Sequence, residues 1–171
     1  MALTYTLIAS STATTSVANI EFTSIPATYT DLVVLLSARG TESQVYNSMK
    51  LQFNNATTNY SGIEIYGSGS AAASVSRSNT DGGLYIGNVN GNNTTSNSFS
   101  NFSIYVPNYA GSNYKSVSVD AVQENNATEA YTQFTAGLWS DTSAITSIKF
   151  SWSTTTIVQH STAYLYGIKN S

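Results

Sequence analysis

Apolar residues recur at every second position along most of this chain, and no stretch of about 11 or more residues sustains the three-to-four-residue apolar period of an amphipathic helix. Period two places alternate side chains on opposite faces of an extended backbone, so each such run is a strand with one face turned to a core. Leu51 and Phe53 alternate with Lys50 and Gln52, and Ile63 and Ile65 with Gly62 and Glu64. Phe102, Ile104 and Val106 face away from Ser103 and Tyr105, while Val117, Val119 and Ala121 alternate with Ser116, Ser118 and Asp120. Near the end, Ile148, Phe150 and Trp152 alternate with Lys149 and Ser151. Tyr164, Tyr166 and Ile168 alternate with Leu165 and Gly167, a last strand that reads as buried on both faces.

Turn residues separate the runs at Ile25-Pro26-Ala27, Asn54-Asn55, Gly67-Ser68-Gly69-Ser70, Asp81-Gly82-Gly83, Asn90-Gly91-Asn92-Asn93, Pro107-Asn108 and Glu124-Asn125-Asn126. The spacing predicts an all-β fold of about ten strands, an antiparallel β-sandwich of the jelly-roll kind, which shelters sheet edges better than an open sheet does. The run Leu32-Val33-Val34-Leu35-Leu36 reads as a central strand, with Leu35, Phe102 and Phe150 assigned to the core. Residues 67–78 are almost all Gly, Ser and Ala, too small to anchor a core, and read as a long surface loop that orders against a partner. No repeat of solenoid length occurs, and 171 residues suit a single domain over residues 1–171.

Charged residues make up only 9% of the chain, yet 41% is hydrophobic and 12% aromatic, a composition that folds instead of staying disordered. The net charge is −3, and Arg39, Lys50, Arg77, Lys115, Lys149 and Lys169 are scattered, which argues against nucleic acid as a partner because that affinity comes from clustered cations. No apolar run approaches the roughly 20 residues that span a bilayer, so no membrane partner is expected. The opening residues lack the basic and long apolar regions of a signal peptide, which predicts use without processing. Cysteine is absent, so a disulfide framework is excluded and the redox compartment is unmarked.

The inventory for catalysis is thin. His160 is the only histidine, and without cysteine neither a Cys-His pair nor a His-rich zinc site can form within one chain. A Ser-His-Asp triad through His160 with Asp120 or Asp141 has no Gly-x-Ser-x-Gly elbow to support it. The acids available to a glycosidase pair are Asp31, Glu42, Glu64, Asp81, Asp120, Glu124, Glu129 and Asp141, and each falls on a polar face or in a turn, where it is expected to be solvated. Asp81 in Asp81-Gly82-Gly83 is the one fragment suggestive of a calcium loop, with no second acid near it in sequence. These residues therefore predict no enzyme, no cofactor, no metal, and no catalytic or cofactor-binding residue.

Binding has better material. Tyrosine presents a flat ring with a polar end, suited to sugars and to protein interfaces alike, and Tyr60, Tyr66, Tyr85, Tyr105, Tyr109, Tyr114 and Tyr131 are the candidates. Trp139 and Trp152, at strand ends, read as core residues. The Asn-x-Ser/Thr sequons at Asn55, Asn59, Asn92, Asn93, Asn101 and Asn126 follow from composition.

Three stretches together resemble a family of small structural proteins of tailed bacteriophages, common in aquatic phages: Met1-Ala2-Leu3-Thr4-Tyr5-Thr6-Leu7-Ile8-Ala9, Ile25-Pro26-Ala27-Thr28-Tyr29-Thr30-Asp31-Leu32-Val33-Val34 and Tyr164-Leu165-Tyr166-Gly167-Ile168. Pro107-Asn108-Tyr109, Gly137-Leu138-Trp139 and Ala144-Ile145-Thr146-Ser147-Ile148 are similar to the same pattern. The resemblance implies a non-enzymatic virion protein, assembled in the host cytoplasm, and carries over no functional residue. On this reading the chain is a capsid decoration or cement protein, a homotrimer that stabilises the shell alongside the major capsid protein or other virion proteins. The alternative it leaves open is a tail or head-fibre module that binds a host glycan.

Overall fold

The computed structural model of the chain describes residues 4–78, 82–126, 129–152 and 156–169. Among them are twelve strands and no helix: β1 (Thr4–Thr12), β2 (Asn19–Phe22), β3 (Asp31–Ala38), β4 (Tyr46–Phe53), β5 (Tyr60–Gly67), β6 (Ala72–Ser76), β7 (Leu84–Asn90), β8 (Ser100–Val106), β9 (Lys115–Gln123), β10 (Tyr131–Trp139), β11 (Ile148–Ser151) and β12 (Thr162–Lys169). They form two antiparallel sheets, an eight-stranded one in the order β1-β12-β3-β8-β9-β10-β5-β6 and a four-stranded one in the order β2-β11-β4-β7. The chain crosses from sheet to sheet between β1, β2, β3 and β4 in turn, and again from β10 through β11 to β12.

The core lies between the sheets and follows the alternation. Leu32, Val34 and Leu36 of β3, Phe102, Ile104 and Val106 of β8 and Val117, Val119 and Ala121 of β9 face Leu51 and Phe53 of β4, Ile148 and Phe150 of β11, and Ile86 and Val89 of β7, all in one buried cluster. Each large side chain fully buried in this way contributes about 1.5–3 kcal/mol of transfer free energy. Trp139 and Trp152 are core residues, as their strand-end positions suggested.

The strand number is higher than expected, and residues 67–78 account for part of the difference. They are not a long loop: residues 72–76 form β6, which pairs with β5 from Ile63↔Ser76 to Gly67↔Ala72 and closes one edge of the larger sheet. Small side chains disqualify a segment from the core but not from a strand whose backbone hydrogen bonds are made to a neighbour.

Three strand faces also differ from the sequence reading. Leu35 is 43% exposed, because the unbroken apolar run in β3 puts Leu32, Val34 and Leu36 inside and leaves Leu35 on the outer face. In β12 the inward residues are Ala163, Leu165 and Gly167, with Tyr164 exposed and Tyr166 half-buried on the outer face. In β5 the phase is inverted: Ile63 and Ile65 are 53% and 59% exposed, and Glu64 between them is wholly buried.

An aromatic anchor causes the inversion. Tyr60, at the head of β5, stacks on Trp139 at 6.3 Å between ring centroids and lies 6.5 Å from Phe53, whose backbone N–H donates to the Tyr60 hydroxyl at 2.8 Å. With Tyr60 inside, period two places Gly62, Glu64 and Tyr66 on the same inner face. Gly62 and Gly137 are register partners, and together they leave a notch for the Leu84 side chain of β7; a Cβ on Gly62 would sit 3.2 Å from Leu84 Cδ1. The sheet–sheet packing therefore requires the phase that buries Glu64.

Candidate functional site

The eight-stranded sheet is longer than its partner. β7 is the last strand of the smaller sheet and packs across β8, β9, β10 and β5, so the inner face of β5 and β6 extends past it. A cleft of about 300 Å³ opens there, lined by Tyr46 and Ser48 of β4, Tyr85 and Asn88 of β7, Glu64 and Tyr66 of β5, Val75 of β6, Arg77 just beyond it, and Tyr131 and Gln133 of β10.

Its floor is a closed polar network. Arg77 donates to Glu64 Oε2 through Nε at 2.7 Å and Nη2 at 2.6 Å, the only salt bridge among the described residues. Gln133 Nε2 donates to Glu64 Oε1 and, at 2.8 Å, to the Tyr85 hydroxyl. That hydroxyl donates to Asn88 Oδ1 at 2.8 Å, and the Asn88 N–H donates to Gln133 Oε1 at 2.7 Å. The Arg77 guanidinium carbon lies 4.1 Å from the centre of the Tyr85 ring, within cation–π range. Burial, and then the neighbouring Glu64 charge, push the Tyr85 hydroxyl well above the ordinary tyrosine range, so it stays a neutral donor.

The walls are aromatic. Tyr46 meets Tyr131 edge to face at 5.1 Å, and Tyr66 lies 6.0 Å from Tyr131 at 56°. Burial, with a hydrogen bond to Tyr46, pushes the Tyr131 hydroxyl up to about 12. Glu129 lies beside Tyr46 at the rim.

The other candidates are dispersed. His160 sits exposed in a turn at φ 73°, its N–H bonded to Ala13 O at 2.8 Å, in a shallow depression with Arg39, Asn97 and Phe99 that includes neither Asp120 nor Asp141. Asp120 lies on the outer face of the larger sheet, and Asp141 accepts from the Ser143 N–H at 2.7 Å, which holds its carboxyl below the usual range. Two acids expected to be solvated are buried: Glu64, and Asp31, which accepts from the Tyr105 hydroxyl and the Asn108 N–H at 2.9 Å each. Glu124 and Glu129 are exposed, Glu42 is half-buried, and Asp81 lies outside the described residues. Among the described residues no group of three or more His, Cys, Asp and Glu gathers into a metal-binding cluster.

Of the tyrosines, Tyr60, Tyr85 and Tyr109 are buried, Tyr105 and Tyr114 are exposed, and Tyr66 and Tyr131 line the cleft. Sequence reasoning missed Tyr46, Arg77, Asn88 and Gln133. The one signal for them was a charged residue in phase with an aromatic strand anchor, Glu64 four positions after Tyr60.

A second surface is the outer face of the larger sheet. Ile65 is the register partner of Phe134 and Ile63 of Ala136; Ile63, Ile65, Phe134 and Val122 are each more than 40% exposed. Farther across, Leu35 is paired in register with Tyr164, and Val33 with Tyr105 and Tyr166. The fold and its surfaces thus define a class, an antiparallel β-sandwich with a tyrosine-walled polar cleft on one side and an uncovered apolar sheet face on the other. No protein-family model matches the chain, and no curated protein matches it.

Proposed function

We propose that the chain is a non-enzymatic structural protein of a tailed-phage virion, a capsid decoration or cement protein that joins other copies of itself, as a trimer, on the shell built by the major capsid protein. Its strand order suits that role: β1-β12-β3-β8 against β2-β11-β4-β7 fits a jelly-roll arrangement, with β5-β6 and β9-β10 as added hairpins on one sheet. The observation that carries the reading is the uncovered face bearing Ile63, Ile65, Val122 and Phe134, since a contiguous apolar patch on a folded chain marks an interaction surface. The chain carries few charges overall, and one of them, Asp120, is paired in register with Phe134 beside this patch.

The test is light scattering on size-separated protein together with cryo-electron microscopy of the particle. A trimer that Ile65→Lys with Phe134→Lys dissociates, with an unchanged circular dichroism spectrum and with wild-type density on the shell, supports the reading. A wild type that stays monomeric at high concentration and is absent from the shell overturns it.

The cleft favours a second reading, a tail or head-fibre module that binds a host glycan. Aromatic rings beside fixed polar groups are what such a ligand needs.

A further inference from the structure

We propose that the cleft above Glu64 and Arg77 binds a short, electrically neutral saccharide, with a sugar ring against Tyr66, Tyr131 and Tyr46 and its hydroxyls bonded by Arg77 and Asn88. The assignment rests on the glycan-binding reading above and adds to it the ligand's charge and the residues that hold it.

Size and wall chemistry come first. About 300 Å³ is at the small end of ligand clefts, enough for a short saccharide and too little for a folded partner. The three tyrosine rings line it together with Val75, and they meet at tilted and edge-to-face angles instead of stacking on one another. The C–H face of a pyranose is apolar while its rim is hydroxylated, which matches rings above a polar floor.

Charge selects the neutral ligand. The Arg77 guanidinium is already compensated by Glu64, with N–O distances of 2.6 and 2.7 Å. Glu129 adds a negative charge at the rim, close enough to act on Tyr131. An anionic sugar would therefore meet two carboxylates and one guanidinium, and like charges brought together in a partly enclosed site oppose binding.

The polar floor is set before any ligand arrives. Arg77 uses Nε and Nη2 on Glu64, which leaves the Nη1 donors for a hydroxyl, and its plane is fixed by the carboxylate below and the Tyr85 ring beside it. Asn88 is fixed by its bonds to Tyr85 and Gln133. Donors already held in place cost little ordering entropy on binding. The same network turns the site away from hydrolysis: among the described residues Glu64 is the single carboxyl lining the cleft, and both its oxygens are occupied by Arg77 and Gln133, whereas glycoside cleavage uses two carboxyl groups across the bond.

The experiment is a printed array of neutral hexose- and N-acetylhexosamine-terminated glycans beside sialylated and uronic-acid glycans, followed by titration calorimetry of the best-retained glycan. Wild type is compared with Tyr66→Ala, Tyr131→Ala and, away from the cleft, Tyr114→Ala; thermal melts confirm that each variant is folded. The expected result is retention of neutral glycans, an affinity loss of about tenfold or more for Tyr66→Ala and Tyr131→Ala, and none for Tyr114→Ala. Amide NMR on the wild type locates the site without any variant: the Gln133 and Asn88 side-chain signals shift on titration. If no array glycan binds the wild type, the glycan-binding reading itself fails. If binding survives both cleft changes and shifts neither amide, that reading stands and the site assignment is overturned. Retention confined to acidic glycans overturns the charge argument.

Discussion

Arg77→Met isolates the energetics of the cleft floor. The substitution keeps an unbranched chain of similar length beside Tyr85 and removes the guanidinium, so Glu64, which has no solvent exposure, loses donors at 2.6 and 2.7 Å and keeps only Gln133 Nε2. Orphaning one member of a buried ion pair costs about 3–5 kcal/mol. The Arg77 side chain is 29% exposed, so water already screens the pair on one side and can enter where the guanidinium was. That puts the expected loss at the low end, about 3 kcal/mol, or a fall in Tm of about 6–12 °C for a chain of this length. Adding Glu64→Gln removes the stranded charge while leaving an oxygen for Gln133, and the double variant should recover to within about 1 kcal/mol of wild type, about 2 kcal/mol more stable than Arg77→Met alone. Urea unfolding at neutral pH, followed by circular dichroism and by fluorescence of the buried Trp139, measures all four corners of the cycle. An Arg77→Met variant within about 0.5 kcal/mol of wild type, or a double variant no more stable than the single, would falsify the account of the network.

Two further outcomes test the strand faces and the buried hydroxyls. Leu36→Ala should cost about 2–5 kcal/mol because Leu36 is buried, whereas Leu35→Ala, one residue away on the outer face, should cost under about 1 kcal/mol in the monomer; equal costs would show that the face assignment in β3 is wrong. Tyr60 and Tyr131 are each raised from 10.0 to about 12, Tyr60 first by burial and Tyr131 by burial and its bond to Tyr46. A raised folded-state value favours the fold while the hydroxyl keeps its proton. This contribution is complete below about pH 10 and is lost as pH rises toward 12, so the urea midpoint should hold up to about pH 9 and then fall; a midpoint unchanged to pH 12 contradicts it.

The sandwich and its two antiparallel sheets were legible because period two is a direct image of a half-buried strand, and β8, β9 and β11 carry it cleanly. β3 was harder, since its unbroken apolar run contains no phase and only packing against the opposite sheet decides that Val34 is inside and Leu35 outside. In β5 the pattern pointed the wrong way. Two isoleucines outweigh one glutamate on any hydropathy count, but the stacking of Tyr60 on Trp139 and the Gly62–Gly137 notch are contacts between residues about 75 positions apart, which a local pattern cannot weigh. The cleft was illegible for the same reason. Its lining residues come from five strands and the stretch just beyond β6, and only after β5 is turned does Glu64 meet Arg77, Gln133 and Tyr85.

The inverted phase of β5 also bears on how the chain avoids ambiguity. Ile63-Glu64-Ile65 is a three-letter instruction in which the middle letter says which way up the strand lies: the acid can be buried only where Arg77 and Gln133 receive it, so the two isoleucines have no choice but to face out. An apolar residue in place of Glu64 would erase that instruction and leave three successive apolar positions, with the Tyr60 anchor and the Gly62–Gly137 notch alone to hold the phase. One carboxylate therefore shapes both surfaces of the larger sheet at once, carving the polar cleft on its inner side and, by exclusion, exposing the apolar patch on its outer side.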